Sequence, residues 1–480
     1  MNKFLIGLLL IGISTKSYAQ RFAHYNTGTL YDSFENPSQA AFIPDSSRQF
    51  AFSLLPNISV NAFLQGNGQY TLKSRLFLGR YNSEAITVGQ NQNNNVMANV
   101  NGYIGMLKMF TSLSGKQEVG VSWQVKGYGR GMVTDETMAL FNGAGPFIGN
   151  NPSPVISYAN IFNSKAFYEA YHQFSITYRE KVTQTFAVGV KLSALSGIAY
   201  NKINITQSNI DFFRQQDAAV LALAGTFQST YELGTFRKRD LLPNINNPGA
   251  AIGLGATYTG LAGIIMQGNI KDLGFIRWGG DATTYTFGNG VPPARIEGLS
   301  TPQREKNVSN ALTKLVERLP EQKPFVKPIV GRAEFSMAKK FMFGKTTYLP
   351  TAIVSKQLYG SGTALALVNQ IDFGGFGASL SGISNEEKRF DLGLQFMYKS
   401  PNFEIFVGSE QLGKTMNLNS ASGKNEDAIL KPMSHSGGNI YFGFSFKFGK
   451  LIERWKGEGY HYNGAEQGPL GQAWNRWFNK

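Results

Sequence analysis

The sequence predicts an all-β fold, a transmembrane antiparallel β-barrel of about 14 strands. Three observations lead there. The stretch from Ile440 to Phe448 has a period of two: Ile440, Phe442, Phe444, Phe446 and Phe448 are apolar, while Tyr441, Gly443, Ser445 and Lys447 are small or polar. Such a strand has one oily face and one wet face, as hydrocarbon outside and a polar interior require. The chain opens with Lys3, an apolar run from Phe4 to Ile13 and the small residues of Ser17-Tyr18-Ala19, the pattern of a cleaved signal peptide over residues 1–19. That run is about half the ~20 residues a spanning helix needs. Composition agrees: charged residues are 16% and aromatics 13%, against about 25% charged in ordinary soluble domains.

Residues 20–48 carry Pro37 and Pro44, which disfavour a strand, and read as an irregular N-terminal plug-like segment. Strand patterns fill 49–449, the outer-membrane barrel. Phe50, Phe52 and Leu54 alternate with small residues, and Ile58, Val60, Ala62 and Leu64 resume after Pro56-Asn57. The runs from Tyr168 to Tyr178 and from Phe186 to Ala194 make the clearest hairpin. Further runs lie between Ala251 and Glu410, each about ten residues or fewer, the length of a tilted spanning strand. Residues 198–205 and 227–234 are weaker and suit hairpins above the membrane. Two segments break the pattern. Residues 134–141 read as a short helix capped by Thr134 or Asp135. Residues 307–319 carry Val308, Leu312, Leu315, Val316 and Leu319 at helical spacing before Pro320, a helix that either lids the barrel or covers a loop. Past Phe448 a polar, Gly-rich periplasmic tail over 450–480 offers Trp455, Trp474 and Trp477 for docking on the barrel or a partner.

The chemistry is sparse. The net charge is +15, without basic helices or base-stacking motifs, so nucleic acid is not an expected partner. With no Cys, thiolate chemistry and lipoprotein anchoring are excluded. The four histidines, His24, His172, His435 and His461, have no metal-ligand spacing, and no nucleophile elbow or phosphate loop occurs. The reading is a non-enzyme without metal or cofactor. Glu169, Arg179, Lys191 and Lys447 fall in polar rows and are lumen-facing candidates, lining either a watery path or a salt-bridged wall.

Asn36-Pro37, Tyr168-Glu-Ala-Tyr171, Phe186-Ala-Val-Gly-Val-Lys-Leu192, Leu195-Ser-Gly197 and Asp272-Leu-Gly-Phe-Ile-Arg-Trp278 follow one another in an order that resembles an uncharacterised family of Bacteroidota outer-membrane barrels with a domain-of-unknown-function label. The resemblance covers nearly the whole mature chain. Asp272, Gly274, Phe275, Arg277 and Trp278 are its most specific part, and no catalytic residues come with it. The family is similar in fold to long-chain fatty-acid transporter barrels, which implies about 14 strands and an N-terminal plug. The same broad group includes accessories of type IX secretion. Within the motif, Trp278 suits an interfacial anchor, and Asp272 a turn or a contact with Arg277.

Two functions follow as expectations. One is a barrel that binds or passes a small, hydrophobic molecule across the outer membrane, with membrane lipid around it. The other is a barrel subunit of a secretion, adhesion or assembly complex that binds protein through the tail or long loops. A secreted β-sandwich is the weaker third reading.

Overall fold

The structure is a computed structural model describing residues 22–40, 48–111, 115–231, 237–279, 282–288, 290–316, 320–359, 362–385, 390–431, 433–451, 468–470, 472 and 476. The signal-peptide region and Trp455, Trp474 and Trp477 lie outside the described residues.

Fourteen antiparallel strands close into a barrel. β1 comes in two halves, Arg48–Ser53 and Asn57–Gln65. Then follow β2 (Asn93–Phe110), β3 (Gln117–Thr134), β4 (Lys165–Lys181), β5 (Phe186–Phe213), β6 (Pro248–Thr259) and β7 (Ile264–Trp278). β8 is again split, Phe325–Pro328 and Arg332–Lys339. β9 (Thr346–Gln357), β10 (Thr363–Phe373), β11 (Phe376–Asn385), β12 (Phe390–Lys399), β13 (Phe403–Ser409) and β14 (Ser436–Leu451) complete the ring. Both halves of β1 pair with β14, Phe50 opposite Phe448 and Ile58 opposite Phe442, so no sheet edge remains there.

The alternation works as hydrocarbon would demand. Phe442 keeps 47% of its surface exposed, as do Phe448 and, nearly, Phe446, while Tyr441, Ser445 and Lys447 are buried. Ile176, Leu192, Leu367, Leu380 and Phe396 continue this exposed apolar belt around the wall. Short turns such as 182–185 and 374–375 gather at one end with both ends of the barrel sequence, and the long connections gather at the other.

Several strands outrun the expected ten residues: β2 and β3 have 18 each and β5 has 28. Their ends rise past the belt into a second layer, where β5 pairs with Ala218–Ser229, and that strand pairs with Thr283–Phe287 and Ala294–Glu297. Helices α2 (Gly68–Leu78), α3 (Asp135–Leu140) and α4 (Arg304–Val316) pack on this layer. Thr134 caps α3, its Oγ1 accepting from Thr137 N at 3.3 Å. The buried face of α4, Val308, Ala311, Leu315 and Val316, joins one apolar cluster with Phe141, Phe212, Leu221 and Phe287. Residues 20–48 are not wholly irregular: a 3₁₀ turn (Phe22–His24) and helix α1 (Leu30–Glu35) form there. Thr29 is the N-cap of α1, a signal the proline count obscured.

Candidate functional site

Phe22–Ala40 lies inside the barrel, nearly all of it buried. Wall cations reach its backbone. Lys108 Nζ donates to Ser33 O at 2.9 Å, Arg179 Nε to Ser38 O at 2.9 Å, Lys191 Nζ to Phe34 O at 3.4 Å and Lys399 Nζ to Thr27 O at 2.8 Å. Wall carboxylates accept from it: Ala23 N donates to Glu410 at 3.0 Å and Leu30 N to Glu404 at 2.6 Å. Charge-assisted bonds to backbone satisfy buried groups that α1 is too short to satisfy itself.

The segment brings its own acids. Glu35 Oε1 accepts from Tyr103 OH at 2.8 Å. Burial alone would raise its pKa, but Lys271, Lys126 and Lys191 bring it down to about 2. Asp32 is the opposite case. Burial lifts it to about 6, against hydrogen bonds from Asn36, Gly28 and Thr27. Asn36-Pro37-Ser38 presses so close to β5 that a Cβ on Gly189 would sit 2.1 Å from Pro37 O, and Gly255, opposite Gly189 on β6, faces Ser38 N.

All four lumen-facing candidates are buried. Arg179 and Lys191 hold adjacent parts of the segment as described. Lys447 pairs with Glu404 at 3.1 Å, and so backs the carboxylate that holds Leu30. Glu169 stands apart, taking a backbone hydrogen bond from Val330. Lys108, Lys399 and Glu404 were missed by the sequence reading. Lys108 sits between the exposed Leu107 and Met109, so the period of two could have found it.

The Asp272–Trp278 motif corrects two expectations. Trp278 is no interfacial anchor: it is fully buried, packed on Tyr200 and against Gly197, where a Cβ would lie 2.4 Å from its ring. Asp272 does not meet Arg277. It occupies a β-bulge with φ 53, pairs with Lys126 at 2.6 Å and accepts from Gln173 at 2.9 Å. The bulge shifts the alternation by one, turning Phe275 and Arg277 outward and Ile276 and Trp278 inward. Gly274 fits closely against Ala250 and Ala251 of β6.

The wall is interrupted within β1, as it is within β8. Leu54, Leu55 and Pro56 leave the ladder between the halves of β1, and β2 bulges at the same level, between Tyr103 and Gly105. Side chains stitch the break: Ser53 Oγ donates to Phe444 O at 2.6 Å, and Asn57 Nδ2 donates to Ser53 Oγ at 3.1 Å. Outside it lies an apolar groove of about 940 Å³ lined by Phe52, Leu54, Leu107, Val121, Phe174 and Leu192 among others. Inside, Phe406 stands opposite Gly443, and its ring meets His24 at 4.3 Å; Tyr31 follows at 5.9 Å.

Ser434, His435 and Asp391 also meet: Oγ to Nδ1 is 3.2 Å and Nε2 to Oδ1 is 3.2 Å. The imidazole is fully buried against Phe63, so it serves as an internal post at the loop end rather than as a base open to substrate. No group of three or more metal-ligating side chains occurs among the described residues.

A family model described as a family of unknown function matches residues 41–410. The chain belongs to that family, DUF5723. No curated protein matches it. Among solved structures, this DUF5723 chain is similar to a Pseudomonas aeruginosa FadL homologue (10% identity, 91% of this chain and 98% of that one covered, TM-score 0.44). It is similar also to the Pseudomonas putida toluene transporter TodX (9%, 91% and 96%, 0.41) and to the translocator domain of the autotransporter NalP from Neisseria meningitidis (6%, 84% and 89%, 0.33). At such identities the likeness brings no substrate or mechanism to DUF5723.

Proposed function

We propose that the protein spans an outer membrane and passes a small hydrophobic molecule through its wall, closed at rest by its own N-terminal segment acting as a plug. The observation that carries this is the alignment at the break in β1. An apolar groove lies outside, a two-side-chain stitch crosses the gap, and the plug's His24 and Tyr31 stand behind Phe406. A molecule leaving hydrocarbon for water loses about 0.8 kcal/mol per CH₂ group. An opening beside an apolar groove and an aromatic cluster spares it that loss, whereas a polar axial pore would not. The plug is held largely by hydrogen bonds to its carbonyls, which can be exchanged for water one at a time as it shifts.

The test is pyrene uptake by intact cells carrying the full chain in the outer membrane. Filling the groove with Leu54→Trp and Val121→Trp should slow uptake several-fold, with folding verified by heat-modifiable gel mobility. Uptake unchanged by a filled groove in a folded barrel would refute the route.

A further inference from the structure

The connection 237–247 leads into β6 and lies against the outside of the wall. His172 Nε2 donates to Leu241 O at 2.8 Å, and Trp123 Nε1 donates to His172 Nδ1 at 3.2 Å. With Nδ1 accepting, the proton sits on Nε2, and the neutral ring is a post between the wall and this connection. Ser196 Oγ accepts from Asn244 N at 3.0 Å, and Gly197 N donates to Asn247 O at 2.8 Å. His172, Ser196 and Pro248 are register partners across β4, β5 and β6, so the connection is bound along one line of the wall. Below that line the outward rows are bare and apolar, Phe174 and Ile176 on β4 and Leu192 on β5. The connection therefore sits at the loop-end edge of the apolar belt.

What it shows to the outside has two parts. Arg237, Lys238 and Arg239 are consecutive and exposed. Leu241, Leu242 and Ile245 follow, exposed by 51%, 64% and 91%, which is unusual for three large apolar side chains so close together. The nearby acid, Asp240, is occupied locally, accepting from Arg237 N at 2.7 Å and lying 3.8 Å from Arg239 Nε. Arg277, outward on β7, extends the cationic row: Ile276 stands opposite Gly249, which places Arg277 beside Pro248 on the same line.

We propose that this segment is a membrane-surface clamp: Leu241, Leu242 and Ile245 enter the acyl layer of the surrounding leaflet, and Arg237, Lys238, Arg239 and Arg277 hold the phosphates of anionic lipid headgroups. The order of charges and apolar side chains matches an interface, with cations at headgroup height and hydrocarbon below. The clamp rests on the barrel being membrane-spanning, but not on what the barrel carries.

The chain has no Cys, so one introduced thiol can be labelled uniquely. Full-length Leu242→Cys and Phe442→Cys, each carrying an environment-sensitive dye, are inserted into phosphatidylcholine vesicles with and without phosphatidylglycerol. Both dyes should report hydrocarbon and be quenched by spin-labelled acyl chains, Leu242→Cys more strongly when phosphatidylglycerol is present. A fluorescent phosphatidylglycerol should bind the triple variant Arg237→Gln, Lys238→Gln, Arg239→Gln more weakly, by roughly fivefold per cation removed. High salt should bring the wild type to the same level. Water around position 242 with hydrocarbon around 442 overturns the clamp alone, as does equal phosphatidylglycerol binding by wild type and variant. Water around both positions overturns the membrane-spanning barrel as well.

Discussion

On the β2–β5 side of the barrel, Lys108, Lys191 and Arg179 reach the carbonyls of Ser33, Phe34 and Ser38. On the β9–β11 side, Ile353, Ala364, Ala366, Val368 and Ile383 receive Phe22 and Tyr25 by apolar contact. The two arcs hold the same segment in different proportions: carbonyl-to-cation bonds dominate the first, while apolar packing around Phe22 dominates the second, beside the Tyr25 hydroxyl on Glu334 and Ala23 N on Glu410. Ionic and charge-assisted contacts respond to protonation, whereas apolar packing responds to volume and hardly to pH or salt. On the proposed plug reading, the difference predicts that residues 30–38 respond to pH and salt more than the packing around Phe22 does.

The largest expected effect comes from the charged arc. Lys108 lies 3.5 Å from Glu118, both fully buried. Lys108→Ala takes from Glu118 its lysine and from Ser33 O its donor, a loss of about 3–5 kcal/mol for a broken buried pair. Hydrogen exchange of the α1 amides should rise steeply, with little change in the amides of residues 22–25. Equal loss of protection at both ends would show that the plug is a single cooperative body, and the contrast between the arcs would fall.

The apolar arc gives the next effect. Phe22→Ala opens a cavity among Ala364, Val368 and Ile383 and should cost about 3 kcal/mol. Its signature is what does not change: lost protection at residues 22–25 should be the same at low and high salt. A salt-dependent loss there would mean that the charges of the other arc reach across the lumen.

Much of this architecture was legible because hydrocarbon imposes a simple rule. Phe442 and Phe446 point outward and Lys447 inward as their alternation requires, and Val308, Leu315 and Val316 form the buried stripe of α4. What escaped was every place where the count slips by one. The bulge between Ile270 and Leu273 inverts the faces of the following residues, so Trp278, apt as an interface anchor by type, is instead core. A second bulge, at Ile198 of β5 opposite Ala170 and Tyr171, does the same for that strand, and the stitch at Ser53 and Asn57 follows from a third irregularity beside Pro56. A bulge is defined by the partner strand, so one strand's sequence does not announce it. The segment 22–40 was legible as a break in the strand pattern, but its contacts with the wall were not, since carbonyls accept from Lys108 and Arg179 without regard to side-chain identity at Ser33 or Ser38.

The smallest effect tests whether residues 30–38 sense protons. Two acids on α1 are shifted in opposite directions. Glu35, depressed to about 2, favours the seated plug fully above the ordinary carboxylate pKa of 4.5 and loses that contribution only as pH falls through the range from 4.5 to 2. Asp32, raised to about 6, is seated best with its proton on: its contribution is present below the ordinary value of 3.8 and is lost as pH climbs to about 6. Of the two, only Asp32 changes state between pH 4.5 and 6.5, so they can be read apart. Exchange of the α1 amides, corrected for its intrinsic pH dependence, should accelerate about tenfold across that window. Asp32→Asn copies the neutral acid and should flatten the rise, keeping the slow rate at pH 6.5. Glu35→Gln should leave the rise in place while raising the rate throughout, because it removes the anion that Lys271, Lys126 and Lys191 surround. A rise that survives Asp32→Asn would move the proton-sensitive contact off the plug and onto the wall.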